Sequence, residues 1–334
     1  MKNPWRLVIA VAVLAGLGLY LRFGGKKAGS ATTPALVTFK NKQVVRIAVD
    51  RPGQPQVILD RAGGNGRGKW RMDQPYAAAA DSGAVATLLT TASTILPAEK
   101  LGAVKDLQPF GLNHPARVSL TLASGTKYTF LLGGKSPTSE NVYLKLASSP
   151  QIYTVPSYVK TDLEQTAFAL QDKSLLNFSS DQVSQVTLDY HGKHFQFTRS
   201  KGKWPKAEKA NLNDLTDAFA NAEMDAMISP QGKDPAKYGL VHPPVTVQFT
   251  WQGGSGEVLI GKLKSKASGD YYARSGDNPA IYTLNNYLLD DIKNLTKPVK
   301  KPAITAKSHA AKAQAKAKPN GKTAAALQLH PVKR

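Results

Sequence analysis

The stretch GGNGRGKW, Gly63 to Trp70, carries the letters of a phosphate-binding loop up to Lys69. Such a loop cradles phosphate with backbone N–H groups and needs Ser or Thr after the lysine and a helix directly beyond. Here Trp70 follows and Pro75 soon interrupts, so the stretch reads as a hairpin loop. His191 and His194 offer a second chemistry. With Gly192-Lys193 as a two-residue turn, the two rings would face each other at a spacing that suits a metal. Zinc takes three or four ligands and no third one is near in sequence, which favours a solvated hairpin. His114 and His242, each before a proline, could act as general bases or as donors to a glycan. The carboxylates Asp162, Asp290 and Asp291 lack the paired pattern of an acid and a base. No G-x-S-x-G, H-E-x-x-H or calcium-loop motif occurs. Cysteine is absent, which excludes disulfides, thiolate zinc sites and cysteine nucleophiles. The expectation is a chain with no catalytic residue, no cofactor and no metal.

The histidines belong to something larger. KDLQPFGLNHP at Lys105 to Pro115 returns as KDPAKYGLVHP at Lys233 to Pro243. Pro115 to Gly133 and Pro243 to Gly261 have equal length and end in LLGG and LIGK. NVYLKL then matches DYYARS, QIYTV matches AIYTL, and SYVKTDL matches NYLLDDI, one residue further apart. Upstream, GKWRMDQPYAAAAD matches GKWPKAEKANLND more loosely, pairing Trp70 with Trp204. One unit is therefore written twice in tandem.

Each Trp precedes a helical stretch. Val85, Leu88, Leu89, Ala92 and Ile95 recur at helical spacing after Asp81, the expected N-cap. Leu215, Phe219, Ala222 and Met224 do so after Asn211 or Asn213. VTVQFTW alternates Val245, Val247, Phe249 and Trp251 against polar partners, the pattern of a half-buried strand, and Val118, Leu120 and Leu122 repeat it more weakly. VSQVTLDYHGKHFQFTR reads as a hairpin. The fold class is α+β: each module carries a strand hairpin, a Trp, one packed helix, a capped turn and an antiparallel meander.

Within this frame the repeated motif has backbone work to do. Asp234 can cap a helical turn begun by Pro235, and Gly239 can end it in the left-handed conformation. His242 before Pro243 is biased toward extended backbone, which leads into the next strand. Asp106, Gly111, His114 and Pro115 are expected to do the same in the first copy. The Trp and Tyr residues fall where packing accounts for them.

The Trp, helix, YGL-x-x-P and IG pattern behind one N-terminal apolar segment resembles the bacterial family known as domain of unknown function 4340. The resemblance covers about Val45 to Leu295, carried by KYGLVHP and QPFGLNHP with Trp70, Trp204, Gly133 and Gly261 in support. It implies a membrane-anchored envelope protein, often encoded beside auxiliary components of gliding-motility-type ABC transporters. It implies no catalytic residues, because the family has none established.

The chain's 334 residues suffice for two domains with their own cores. Its net charge of +21 is uneven: Met1 to Lys27 hold five basic residues and Lys297 to Arg334 hold ten, with no acid in either. The apolar run Leu7 to Leu21 is short of the roughly 30 Å hydrocarbon core. Residues 5–23, with Arg6 and Arg22 snorkelling, come close to spanning it. A signal peptide cleaved near Ala28-Gly29-Ser30 is the rival, opposed by Lys26 and Lys27, and a buried helix is a third reading. Flanking charge does not orient the segment, but its short N-tail places the modules outside the cytoplasm. The expected layout is an anchor over 1–27, a linker over 28–43, modules over 44–165 and 175–295, and a disordered basic tail over 296–334. The tail suits anionic lipid or cell-wall polymer and outside the cytoplasm meets no nucleic acid, or it only keeps the chain soluble. The expected function is a non-enzymatic inner-membrane protein with a protein partner in an envelope complex. The alternatives are a glycan-binding or hydrolytic protein with an inter-module cleft, and polyanion or nucleic-acid binding through the basic tail.

Overall fold

A computed structural model describes residues 34–63, 68–276 and 278–297. The expected anchor over 5–23 and nearly all of the tail lie outside these residues. Among the described residues no helix is long and apolar enough to cross a membrane.

Two antiparallel sheets follow one another along the chain. The first is built from β1 (Val44–Asp50), β2 (Val57–Arg61), β3 (Trp70–Gln74), β4 (Ala78–Ala79), β5 (Glu99–Ala103), β6 (Ala116–Leu122), β7 (Lys127–Lys135), β8 (Asn141–Leu146) and β9 (Gln151–Pro156), in the spatial order β4-β3-β2-β1-β6-β7-β8-β9-β5. The second uses β10 (Val183–Tyr190), β11 (Lys193–Thr198), β12 (Ala226–Ser229), β13 (Val245–Trp251), β14 (Gly254–Leu263), β15 (Tyr271–Ser275) and β16 (Ile281–Leu284), in the order β11-β10-β13-β14-β15-β16-β12. Removing β3 and β4 from the first order leaves the second, strand for strand. The duplication read from the letters is a duplication of topology.

Period-two burial makes each strand a wall of a core. Val44, Ile47 and Val49 of β1 and Val118 and Leu120 of β6 are fully buried, as are Val186 and Leu188 of β10 and Val247 and Phe249 of β13. The copies are one residue out of step here. Val118 pairs with Phe130 and Val247 with Val258, so Pro244 is an extra residue between the His-Pro corner and β13. The hairpin that follows is one residue shorter and restores the step.

The helices depart from the sequence reading in number. Besides α1 (Ser82–Ser93), α2 (Ser157–Leu163) and the short α3 (Ala167–Leu170) close the first module, and α4 (Lys209–Ala220) has a partner in α5 (Tyr287–Thr296). Each sheet thus carries a packed pair instead of one helix. SYVKTDL and NYLLDDI form the second member, burying Val159 and Leu163 in one copy and Leu288, Leu289, Ile292 and Leu295 in the other. Asp81 caps α1 as expected, accepting from Gly83 N at 2.7 Å and Ala84 N at 3.0 Å. Asn211 and Asn213 do not cap α4: it begins at Lys209 behind Glu208, whose side chain makes no cap bond. Burial of Leu212, Leu215 and Phe219 holds α4 in place without one.

The β structure also departs from the sequence pattern at two places. After each first helix the chain crosses to the far edge of its sheet, where β5 pairs with β9 and β12 with β16. EKLGA is exposed along most of its length, so it shows no alternation, and the capped turn was expected straight after the helix. The β10–β11 turn is His191-Gly192, not Gly192-Lys193, because Tyr190 pairs with Lys193. Both turn residues have positive φ, 47° and 77°, the type I′ geometry that suits the twist of a hairpin. The slip takes His191 into the turn and sets His194 opposite Asp189, Nδ1 to Oδ1 2.7 Å, so the two histidines do not face each other.

Residues 170–175 stitch the modules together. Asp81 N donates to Leu170 O and Asp172 N to Ala79 O, both at 2.9 Å. Met224 N donates to Lys173 O at 2.9 Å and Leu175 N to Ala222 O at 3.2 Å. Gln171 is buried between them and accepts from the Tyr76 hydroxyl at 2.6 Å.

The two helix starts give a paired test. Asp81→Ala removes a real cap and should lower the first module's unfolding free energy by about 1 kcal/mol in denaturant titration. Glu208→Ala removes no cap and should leave the second transition in place.

Candidate functional site

The repeated motif folds into the same corner twice. Gln108–Phe110 and Pro235–Tyr238 each make one 3₁₀ turn that ends at a left-handed glycine, Gly111 at φ 63° and Gly239 at φ 74°. The turn closes on itself through Leu112 N to Leu107 O at 3.1 Å and Leu240 N to Pro235 O at 2.9 Å. Leu112 and Leu240 are then buried beneath it.

What receives the corner is the strand glycine in LLGG and LIGK. A Cβ on Gly133 would lie 2.2 Å from Phe110 O, and one on Gly261 would lie 2.2 Å from Tyr238 O. No side chain fits there, since real Cβ contacts below about 3 Å do not occur. The ladder is irregular at the same place, between Leu132 and Lys135 and between Ile260 and Leu263. The ring at the end of each turn lands on the neighbouring strand: Phe110 on Tyr143 at 4.9 Å and Tyr238 on Tyr272 at 4.8 Å, both edge-on.

The remaining motif residues divide. Asp106 accepts from Gln108 N at 3.0 Å and fixes the start of its turn. Asp234 does not: it is left-handed, φ 55°, and makes no side-chain cap bond. Pro235 disfavours the right-handed conformation at the residue before it, and the backbone bond from Lys237 N to Asp234 O at 3.0 Å takes over. His114 and His242 are exposed, while Pro115 and Pro243 are half-buried beside them.

Trp70 and Trp204 are buried, and each lies under an arginine that the sequence reading missed. Arg61 stands 4.7 Å over the Trp70 ring and Arg199 4.6 Å over Trp204. Arg61 donates to Lys42 O at 3.2 Å, and Arg199 to Asp181 O at 2.6 Å and Ser180 O at 3.2 Å. Each arginine ties its Trp to the turn ahead of the first strand of its module. Its signal was the Arg before GKW in both copies, obscured because the first copy has four more residues between them.

The catalytic and metal candidates stay apart. The segment 63–70 joins β2 to β3, so a strand follows it where a phosphate-binding loop needs a helix. Asp162 accepts from Thr91 Oγ1 at 2.8 Å, binding α2 to α1. Asp290 pairs with Lys293 at 2.9 Å. The Asp291 carboxyl is pushed above its ordinary value by burial, with Asp214 and Asp290 adding to the effect. Among the described residues no group of three His, Asp or Glu could hold a metal ion.

Three hollows lie among the described residues near these elements. One, about 580 Å³, lies beside α2 and is lined by Lys135, Ser157, Lys160, Thr161, Glu164 and Gln165. Lys160 Nζ donates to Gly133 O at 2.6 Å and stands 3.4 Å from Glu164, joining this groove to the first corner. Burial raises the Glu164 carboxyl above its ordinary value, against the pull of Lys160. The junction cavity, about 160 Å³, holds Tyr76 and Gln171, which satisfy each other. A third hollow of about 300 Å³ lies in the second module near Trp251 and Ser275.

The family described as "Domain of unknown function (DUF4340)" matches residues 70–214 and again 205–327. The matches do not coincide with the folded modules. The first starts at Trp70 and the second at Pro205, directly after Trp204, and the first runs through its meander into the hairpin and helix of the next. No curated protein and no solved structure matches the chain.

Gly133→Ala and Gly261→Ala should each cost about 2 kcal/mol or more in denaturant titration, because the clash is with backbone. Gly125→Ala, where φ is 86° and nothing lies within 4 Å, should cost about 1 kcal/mol. The buried Glu164 fixes a pH dependence. Its native carboxyl keeps a proton to higher pH than the unfolded chain, so its contribution to stability is full below the ordinary value of 4.5 and falls as pH rises through the raised native value. Glu164→Gln should remove that fall and leave the variant more stable than the parent at pH 7, read from thermal melts across pH.

Proposed function

We propose that this chain, which belongs to the DUF4340 family, is a non-enzymatic membrane-anchored envelope protein, an accessory or scaffold of an ABC-transporter-like or other envelope complex. One observation carries the reading. The residues written twice are occupied with folding: Gly111 and Gly239 turn the chain, Gly133 and Gly261 make room for a carbonyl, and Trp70 and Trp204 fill cores. Among the shared groups that could react, His114 and His242 are exposed side chains on turns, Asp106 fixes the start of its turn and Asp162 binds α2 to α1.

Residues 5–23 hold the chain to the inner membrane in this reading, with both modules outside the cytoplasm. The basic tail meets anionic lipid or cell-wall polymer, not nucleic acid. A glycan-binding or hydrolytic role needs polar groups that converge from both modules. The junction cavity is below the roughly 300 Å³ at which small-molecule sites begin, and its Tyr76 and Gln171 are engaged with each other.

Crosslinking in membranes, with identification of the captured proteins, tests the reading. His114→Ala combined with His242→Ala should leave the crosslinked partners unchanged. Loss of those partners by a variant that melts like the parent would overturn it.

A further inference from the structure

The two modules differ at one sheet edge, and the difference leaves room for a strand. In the first, β3 covers the outer side of β2 in the register Arg61↔Trp70, Asp60↔Arg71, Leu59↔Met72. Val57 and Leu59 are then 1% and 0% exposed. In the second, β11 is the last strand of the sheet. Its Phe195 and Phe197 pair with Leu188 and Val186 as Val57 and Leu59 pair with Val49 and Ile47, so they are the equivalents. Both phenylalanines are only half-buried.

The missing strand is started and then stopped. Ser200 and Lys203 exchange backbone bonds at 2.9 Å and 3.1 Å around Lys201-Gly202, as β3 begins after its own loop. Trp204 reaches the core, but Pro205 stands where Arg71 continues β3, and a proline has no N–H for a ladder. Tyr190 and Lys193 close a two-residue turn and so exchange bonds with each other. By alternation, His194, Gln196 and Thr198 direct their N–H and C=O groups outward, away from β10.

We propose that the β11 edge accepts an extended segment of a partner protein, one that places apolar residues opposite Phe195 and Phe197 and acidic residues between them. The inference deepens the interaction role proposed above and rests on it. The place of β3 in the first module shows what this edge takes. Charge selects the occupant, because Lys193, Lys201, Lys203 and Lys206 are all exposed around the edge, and Asp189 is engaged by His194. The same lysines set like charges against each other if two copies pair along β11, so a second copy is disfavoured. An added strand gains main-chain bonds for affinity and alternate side-chain positions for selectivity.

The test uses the full-length protein and a synthetic seven-residue peptide of alternating Glu and Val. Saturable binding should slow hydrogen exchange at the amides of His194, Gln196 and Thr198 and weaken as salt rises. Gln196→Pro removes an outward N–H without touching the β10 ladder, a place where an edge strand tolerates proline. It should keep the parent's melting temperature and lose that protection. Lys193→Glu with Lys203→Glu should lower affinity about tenfold and favour a peptide of alternating Lys and Val. The proposal is overturned by unchanged exchange at these amides in excess peptide, or by equal binding to Gln196→Pro. It is also overturned by a concentration-dependent doubling of mass that Gln196→Pro abolishes, which would make the occupant a second copy. Failure here, with partners still crosslinked elsewhere on the modules, sinks the edge and leaves the scaffold reading standing.

Discussion

A backbone carbonyl pressed against a Cα that carries no side chain holds each module in register. The oxygen of Phe110 enters the space above Gly133, and that of Tyr238 the space above Gly261. The turn before each glycine comes from the far edge of the sheet, while the glycine sits in a central strand. Their contact therefore fixes where the crossover ends and the meander begins. Leu112 and Leu240, buried just beyond the turn, make the arrangement an anchor in the core as well as a bend. Backbone atoms and two glycines supply this lock, so the same glycines serve it in both copies.

Much of the fold was legible because the chain contains its own comparison. Gly111, Gly133, Gly239 and Gly261 stood out by recurring at equal spacing, and their roles follow from geometry that other residues cannot adopt. Asp81 was legible from a local rule, a carboxylate ahead of an apolar helical stripe. Features set by tertiary contact were harder to see. β5 has no burial pattern because it lies at an edge, so the strand is invisible to periodicity. The hairpin turn was misplaced by one residue because His191 adopts positive φ, a conformation that the preference for glycine at that place does not anticipate. Asp234 looked like Asp106, yet the proline after it changes the backbone on which a cap depends. Arg61 and Arg199 were overlooked because their work is a contact with a ring several residues away.

The junction reconciles the family's boundaries with the folded units. Leu170 is buried in the first core and Leu175 in the second, and the residues between them bond to both modules. A unit that runs from one Trp to the next cuts through a sheet, while the folded unit ends where the cores change. Sequence similarity follows the order in which letters recur, and packing follows the order in which strands close. β3 and β4 belong to the same contrast. They complete the first sheet and bring Ala79 and Ala80 to the connecting segment, a task that the second module does not have.

Pro244 marks where a duplicated unit absorbs a difference in length. In the first half the earliest buried strand residue, Ala116, directly follows the His-Pro pair; in the second it is Val245, one place later. Yet Ala116 pairs with Leu132 and Val245 with Ile260, in each case the residue just before the glycine that seats the corner. The extra residue is therefore taken up between corner and strand, and the two halves tell themselves apart by the length of that joint while keeping the same inward face, which a one-residue slip inside the ladder would have turned to water.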